Sequence, residues 1–234
     1  MMLSQFNNTT CSEREIYEQL PLDNKNILEL GCGKADITRL IATGGPGRHI
    51  TATEVDEIQH GKNLLIDDLP NVTFIVAGSE KISVDDASFD FIFMFKSLHH
   101  VPTELMADAL KEVERVLKPG GIAYISEPVF KGDFNEVLRL FHDEELVRAA
   151  AHEAIQQAIS NKSLTRLEEV NFNSPMGFKN FADFENKIIK VTHTQHALSP
   201  QLQQQVEDQF ALNMGADGAK FLMPIRVDVL QKKA

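Results

Sequence analysis

The chain has no tryptophan and only two tyrosines in 234 residues. Sites that bind unpaired bases are built from aromatic faces, so such a site is not expected here. Basic charge is also short, with 23 Lys and Arg against 34 Asp and Glu and a net charge of −11. Nucleic-acid partners are therefore not expected, and anionic membrane surfaces are disfavoured. The two cysteines, Cys11 and Cys32, make no disulfide framework and fit a reducing, cytoplasmic setting. No apolar run approaches the ~20 residues of a membrane span. Met1 to Thr10 is polar and lacks the apolar core of a signal peptide.

What is present is ordinary for a globular domain: 43% hydrophobic and 24% charged residues. The length allows one domain with a full core. Residues 1–10 are expected to be loosely attached. Ser12 and Glu15 predict a capping box for a helix over 13–19, stopped by Pro21. Strands are expected over 27–30, 49–54, 72–76, 90–95 and 122–126. Helices over 36–42, 57–67 and 103–117 alternate with them. Alternation of this kind predicts an α/β fold: a doubly wound, mostly parallel, seven-stranded, Rossmann-like sheet. A helical insertion follows the fifth strand, over 133–160, with Phe134, Val137, Leu138, Phe141, Leu146 and Val147 as its apolar set. A strand over 164–173, helices over 180–191 and 200–213, and a last strand over 220–230 complete the reading. Pro224 predicts an edge position or a bulge in that last strand.

Four segments carry the candidate chemistry. The first is Ile27-Leu-Glu-Leu-Gly-Cys-Gly33, an apolar strand that turns on Gly31 and Gly33 toward a helix. Glycines there let backbone amides approach a ligand, although many strand–helix turns need them only for geometry. A dinucleotide fingerprint would place a third glycine at position 36, where Asp36 stands. Acidic Glu29 and Asp36 suit a neutral or cationic ligand end better than a pyrophosphate. Cys32 is read as a small filler, in a place where a helix N-terminus would lower its pKa. The second segment ends in Glu54, placed to accept both ribose hydroxyls, with Asp56 as competitor. The third is Ala77-Gly-Ser-Glu80, small enough for a flat base to lie against. The fourth is Phe95-Lys-Ser-Leu-His-His100. One of its histidines, His99, is a candidate general base. Adjacent side chains diverge, so at most one is expected to face a ligand. Lys96 either meets a ligand carboxylate or lies on the surface.

In order and spacing these segments, with Ser88-Phe-Asp90 and Leu117-Lys-Pro-Gly-Gly121, resemble the class I S-adenosylmethionine-dependent methyltransferases over residues 25–128. The resemblance implies S-adenosylmethionine as cofactor and S-adenosylhomocysteine as product. It implies Glu29, Gly31, Cys32 and Gly33 around the methionine end, with Phe95 and Lys96 close by. Glu54 and Val55 would serve the ribose, and Ser79 and Glu80 the adenine. Two positions depart from the pattern: Ala35 replaces a common third glycine, and Gly78 an aspartate that often contacts adenine. The family resemblance divides the chain into an N-terminal lid (1–25), a cofactor core (26–128) and a helical cap with the last two strands (129–234).

The acceptor is expected to be a small molecule, methylated at O, N or C by in-line displacement, where positioning supplies most of the acceleration. Tyr17, Glu127, Phe130 and His142 are the tentative pocket residues, with Arg139 and Phe141 nearby. No metal is expected. Monomer and homodimer both remain open. Two other readings stand beside this one. A nicotinamide-dependent oxidoreductase would use Glu54, but no Tyr-x-x-x-Lys pair is present. A non-catalytic S-adenosylmethionine-binding protein would account for Ala35 and Gly78.

Overall fold

The computed structural model describes residues 3–190 and 197–233. Its strands are β1 (Asn26–Leu30), β2 (His49–Glu54), β3 (Val72–Val76), β4 (Phe89–Phe95), β5 (Leu117–Pro128), β6 (Leu164–Phe178), β7 (Met214–Gly215) and β8 (Gly218–Lys232). They join one sheet in the order β3-β2-β1-β4-β5-β8-β6, with the two-residue β7 added beside β8. β1 to β5 pair in parallel, and β8 is antiparallel to both β5 and β6. The expected seven strands are thus present, and a short hairpin supplies an eighth.

The sheet reverses direction of winding between β1 and β4, which lie side by side although β2 and β3 intervene in sequence. Open α/β sheets bind ligands outside the carboxyl ends of the strands at such a switch point. Here those ends are the Gly31–Gly33 loop and Lys96-Ser97. The two loops touch: Ser97 Oγ donates to the Leu30 carbonyl at 2.8 Å. A Cβ on Gly31 would come within 2.9 Å of Ser97 Cβ, and its φ of +75° is glycine's own region.

The helices are α1 (Glu13–Tyr17), α2 (Asp36–Ala42), α3 (Glu57–Asn63), α4 (Met106–Val116), α5 (Asp133–Leu138), α6 (Glu145–Ser160), α7 (Phe181–Phe184) and α8 (Pro200–Ala211). The Ser12–Glu15 capping box forms as its sequence predicts. One face of the sheet packs Tyr17, Phe93, Phe95 and Tyr124. The other packs Leu110 and Val113 of α4 and Ile155 of α6 against Ile92, Met94 and Ile125. A phenylalanine-rich cluster, including Phe134, Phe178, Phe184 and Phe210, joins α5, α7 and α8 to β6 and β8.

Several expectations are corrected. Residues 3–10 are not loose: Leu3 is fully buried, its amide donates to Glu168, and Thr10 bridges to Asn173. Met1 and Met2 lie outside the described residues. The helix expected over 133–160 breaks between Leu138 and Glu145. The break resets the helical phase, so Leu146 is 84% exposed and Ala151, Ile155 and Ala158 face inward. The helix expected over 180–191 is one α turn followed by a π turn over Glu185–Ile189, and Val191 lies outside the described residues. Pro224 is not on an edge, because β8 lies between β5 and β6. Pairing with β5 ends at Ile225, and beside it the Pro224 carbonyl accepts from Val129 N–H at 2.8 Å, so the missing N–H of Pro224 falls at the margin of that pairing.

Candidate functional site

The loop after β1 is held from three sides. Gly33 N–H donates to Glu54 Oε2 at 2.8 Å. The other Glu54 oxygen accepts from the amides of Val55 and Asp56 at 2.8 and 2.9 Å. Asn63, fully buried at the end of α3, donates to the Gly33 carbonyl at 2.8 Å. The two amides use both lone pairs of Oε1, and Oε2 keeps one acceptor site beyond Gly33, since a carboxylate has about four lone-pair sites. A Cβ on Gly33 would meet nothing within 4 Å, so open space lies above the loop. Val55 stands beside it with its apolar side chain 64% exposed. Ala35, where a third glycine is common, adopts φ +62° at the N-cap of α2. A glycine's freedom would suit that conformation, and alanine occupies it at a modest steric cost.

Glu29 is buried in the strand just before the loop. It accepts from Thr38 Oγ at 2.6 Å. Burial raises its pKa to about 7, while the Thr38 hydrogen bond opposes the rise. No cation faces it among the described residues. Burial also pushes the Cys32 thiol up, and Glu29 and Glu54 add to the effect. Proximity to a helix start does not lower this thiol, because desolvation outweighs the dipole. Its Sγ contacts the Gly33 carbonyl at 3.8 Å and accepts from Asn63 Nδ2 at 3.5 Å.

After β3, Ser79 is buried and the Glu80 carboxylate folds back into the space a side chain at Gly78 would occupy. An acceptor therefore stands close to position 78 although that residue has no side chain. Phe95, buried, is stacked on Phe93 at 5.1 Å and meets Tyr17 edge-on at 5.5 Å. Lys96 is neither a surface lysine nor unpaired: its Nζ contacts Glu13 Oε2 at 2.6 Å and ties α1 to the end of β4. Glu13 Oε1, Tyr17 OH and Tyr124 OH are buried where α1 meets the sheet, with no hydrogen-bond partner among the described residues.

The two histidines behave differently from the divergence expected of neighbours. A short 3-10 turn over Leu98–His100 brings their rings to 4.1 Å. His99 is buried, and its Nδ1 forms a short hydrogen bond with Glu127 Oε2. Glu127 Oε1 also accepts from Leu98 N–H at 2.9 Å. His99 Nε2 lies 3.6 Å from Glu144 Oε1. Burial lowers the His99 pKa, but the two carboxylates outweigh it and raise it to about 9. Both ring nitrogens face carboxylates, so the free lone pair that a general base needs is not displayed. Glu144 is further bound by His142 at 2.9 Å and by Arg148 at 2.5 Å. Arg148 and Arg139 lie over the Phe130 ring at 5.9 and 5.2 Å.

The structure thus gathers His99, Glu127, Phe130 and His142 into one cluster. Tyr17 is not part of it. Side chains alternate along β5, so Tyr124 faces Tyr17 while Ile125 and Glu127 face the other side. Sequence reading missed Asn63, Glu144 and Arg148. Only the i, i+4 spacing of Glu144 and Arg148 carried a signal, and nothing in it pointed to His99. A cavity of about 400 Å³, lined by Asn26, His49, Thr51, Asn71, Ser88 and Phe89, lies at the amino ends of the strands. It is the wrong end of a parallel sheet for ligand chemistry, and the convergence of polar groups at the carboxyl end outweighs its size.

A doubly wound sheet with a glycine loop and a strand-end acid at its switch point defines a Rossmann-like α/β protein. Residues 27–121 match a family described as a methyltransferase domain. A demethylmenaquinone methyltransferase of Listeria monocytogenes is 34% identical over 100 residues, 41% of each chain. A ubiquinone/menaquinone biosynthesis C-methyltransferase, UbiE, of Rickettsia bellii is 33% identical over 115 residues, 46% of each chain. These curated relatives are thus matched over less than half of their length. The fold is similar to the crystal structure of the YcgJ protein of Bacillus subtilis, with a TM-score of 0.65 at 15% identity over 94% of this chain and 97% of that one. No helix among the described residues is long and apolar enough to cross a membrane.

Proposed function

We propose that this chain methylates a small-molecule acceptor with S-adenosylmethionine as donor. The observation that carries the reading is Glu54, which organises the glycine loop at the switch point while its Oε2 keeps one acceptor site for a ribose hydroxyl. When bound, the cofactor supplies a methyl group on a sulfonium cation. The residues fit it. The loop leaves room above Gly33, and Glu29 is a buried carboxyl with no cation beside it among the described residues. In this reading Glu54 and Val55 hold the ribose, Ser79 and Glu80 flank the adenine, and Glu29, Gly31 and Cys32 border the methionine end. Phe95 and Lys96 complete that end, and residues 1–25 cover it through Tyr17. The pocket for the acceptor is formed by the 129–234 segment, with Glu127, Phe130 and His142 at its wall and His99 orienting Glu127.

Positioning is the main task for these residues, because displacement at a methyl group gains most from alignment and exclusion of water. Calorimetry with S-adenosylhomocysteine tests the reading: one site per chain is expected, and no heat at millimolar ligand overturns it. A nicotinamide dinucleotide is the control that must not bind. Demethylmenaquinone, named in the Listeria relative, heads the acceptor panel. Turnover with a small acceptor separates an enzyme from a binding protein.

Glu54→Ala is expected to weaken S-adenosylhomocysteine binding by roughly 1–3 kcal/mol, the worth of hydrogen bonds to a charged group. Glu54→Gln should fall between, since a carboxamide keeps one accepting oxygen. Unchanged affinity in a folded Glu54→Ala protein would refute the ribose assignment.

A further inference from the structure

We propose that His99, His100 and Glu144 bind one first-row divalent metal ion of the zinc type. One ligand atom from each lies within 4.8 Å of the others. Their residue types, two imidazoles and a carboxylate, suit zinc, cobalt or nickel and are a poor set for magnesium or calcium.

The geometry is close to what coordination needs. Around a tetrahedral ion with bonds of about 2.0–2.2 Å, neighbouring ligand atoms lie about 3.3–3.5 Å apart. His99 Nε2 and Glu144 Oε1 are already 3.6 Å apart. The 3-10 turn sets the His100 ring 4.1 Å from that of His99, so both come to the same spot from consecutive positions. His142 Nε2 lies 2.9 Å from the same Glu144 oxygen, which places a third imidazole at the edge of the group.

The surroundings hold these ligands in the way metal sites are held. Glu127 takes the Nδ1 side of His99, so an ion would take Nε2 in place of the proton that faces Glu144 there. Glu127 is fixed in turn by the Leu98 amide. Arg148 occupies the second oxygen of Glu144 and is anchored to Asn135, so an ion would meet Glu144 at Oε1, the oxygen that His142 also contacts. His99, Glu127 and Glu144 are all buried, while His100 is exposed. One side of the ion would therefore be open, as in sites that keep a position for an exchangeable ligand. Metal binding here does not depend on the methyl-transfer reading, and it fails or succeeds without the cofactor.

The test uses tag-free full-length protein, dialysed against a chelator and then titrated with Co²⁺. Visible ligand-field bands saturating at one ion per chain are expected, with competition by Zn²⁺. His100→Ala, at an exposed position, should fold normally and weaken Co²⁺ binding roughly tenfold or more. Glu144→Gln should do the same if its circular dichroism is native. A protein that retains no stoichiometric Co²⁺ or Zn²⁺, or whose affinity is unchanged in His100→Ala, overturns the proposal. In that outcome the cluster is an ion-paired histidine between two carboxylates.

Discussion

Phe93→Ala is expected to destabilise the protein by about 3–5 kcal/mol, the usual cost of deleting a buried ring. Phe93 is fully buried at the centre of the sheet. It stacks on Phe95 at 5.1 Å and meets Tyr17 and Tyr124 at 5.9 and 5.5 Å. One truncation therefore opens a void among three rings and removes part of the surface on which α1 rests through Tyr17. For a chain of this size the melting temperature should fall by about 6–20 °C. Phe93→Leu keeps most of the volume and should cost under about 1.5 kcal/mol. Urea unfolding measures both. A loss below about 1 kcal/mol for the alanine variant would show that the rings close over the gap.

Glu29→Gln is expected to stabilise the protein at alkaline pH by as much as about 3 kcal/mol. The sign follows from the raised pKa, about 7 in the fold against 4.5 for the free side chain. Below pH 4.5 the carboxyl is protonated whether folded or not, and it costs nothing. Between 4.5 and 7 the folded form keeps its proton while the unfolded form loses it, so stability falls as pH rises. Above about 7 the full desolvation penalty is present. Glutamine is neutral throughout and still accepts from Thr38. Wild type and variant should therefore converge near pH 4.5 and separate up to pH 7. Parallel stability curves across that window would show that Glu29 ionises freely. If a cofactor's cationic end binds beside Glu29, it favours the carboxylate, so binding near pH 6 should release a proton. Calorimetric heats that vary with buffer ionisation enthalpy would register it.

Much of the core was legible from residue patterns. The nearly all-apolar run 90–95 reads as a strand covered on both faces, and it lies within β4, Phe89–Phe95. Gly31 and Gly33 mark the turn where the backbone has positive φ. Glu54 ends its strand where an acid can turn back on the glycine loop, and it does so through Gly33 N–H. The tail was less legible. A break after Leu138 shifted the phase of the next helix, and β8 took an interior place that Pro224 argued against.

The side-chain cluster around His99 was not legible. Its members come from the turn after β4, the end of β5 and the start of α6. Glu127 is 28 residues from His99, and nothing local couples them. The same holds for Asn63, which reaches back 30 residues to Gly33. By itself the sequence determined the succession of strands and helices through β5, the glycine turn and the acid that ends β2. Those depend on periodicity and backbone freedom, which neighbouring residues set. Only the tertiary structure decided which buried carboxylates enclose His99, that Glu80 fills the space left by Gly78, and that Tyr17 lies across the sheet from Glu127. Those depend on how the chain folds back over itself, and no short stretch of residues contains that information.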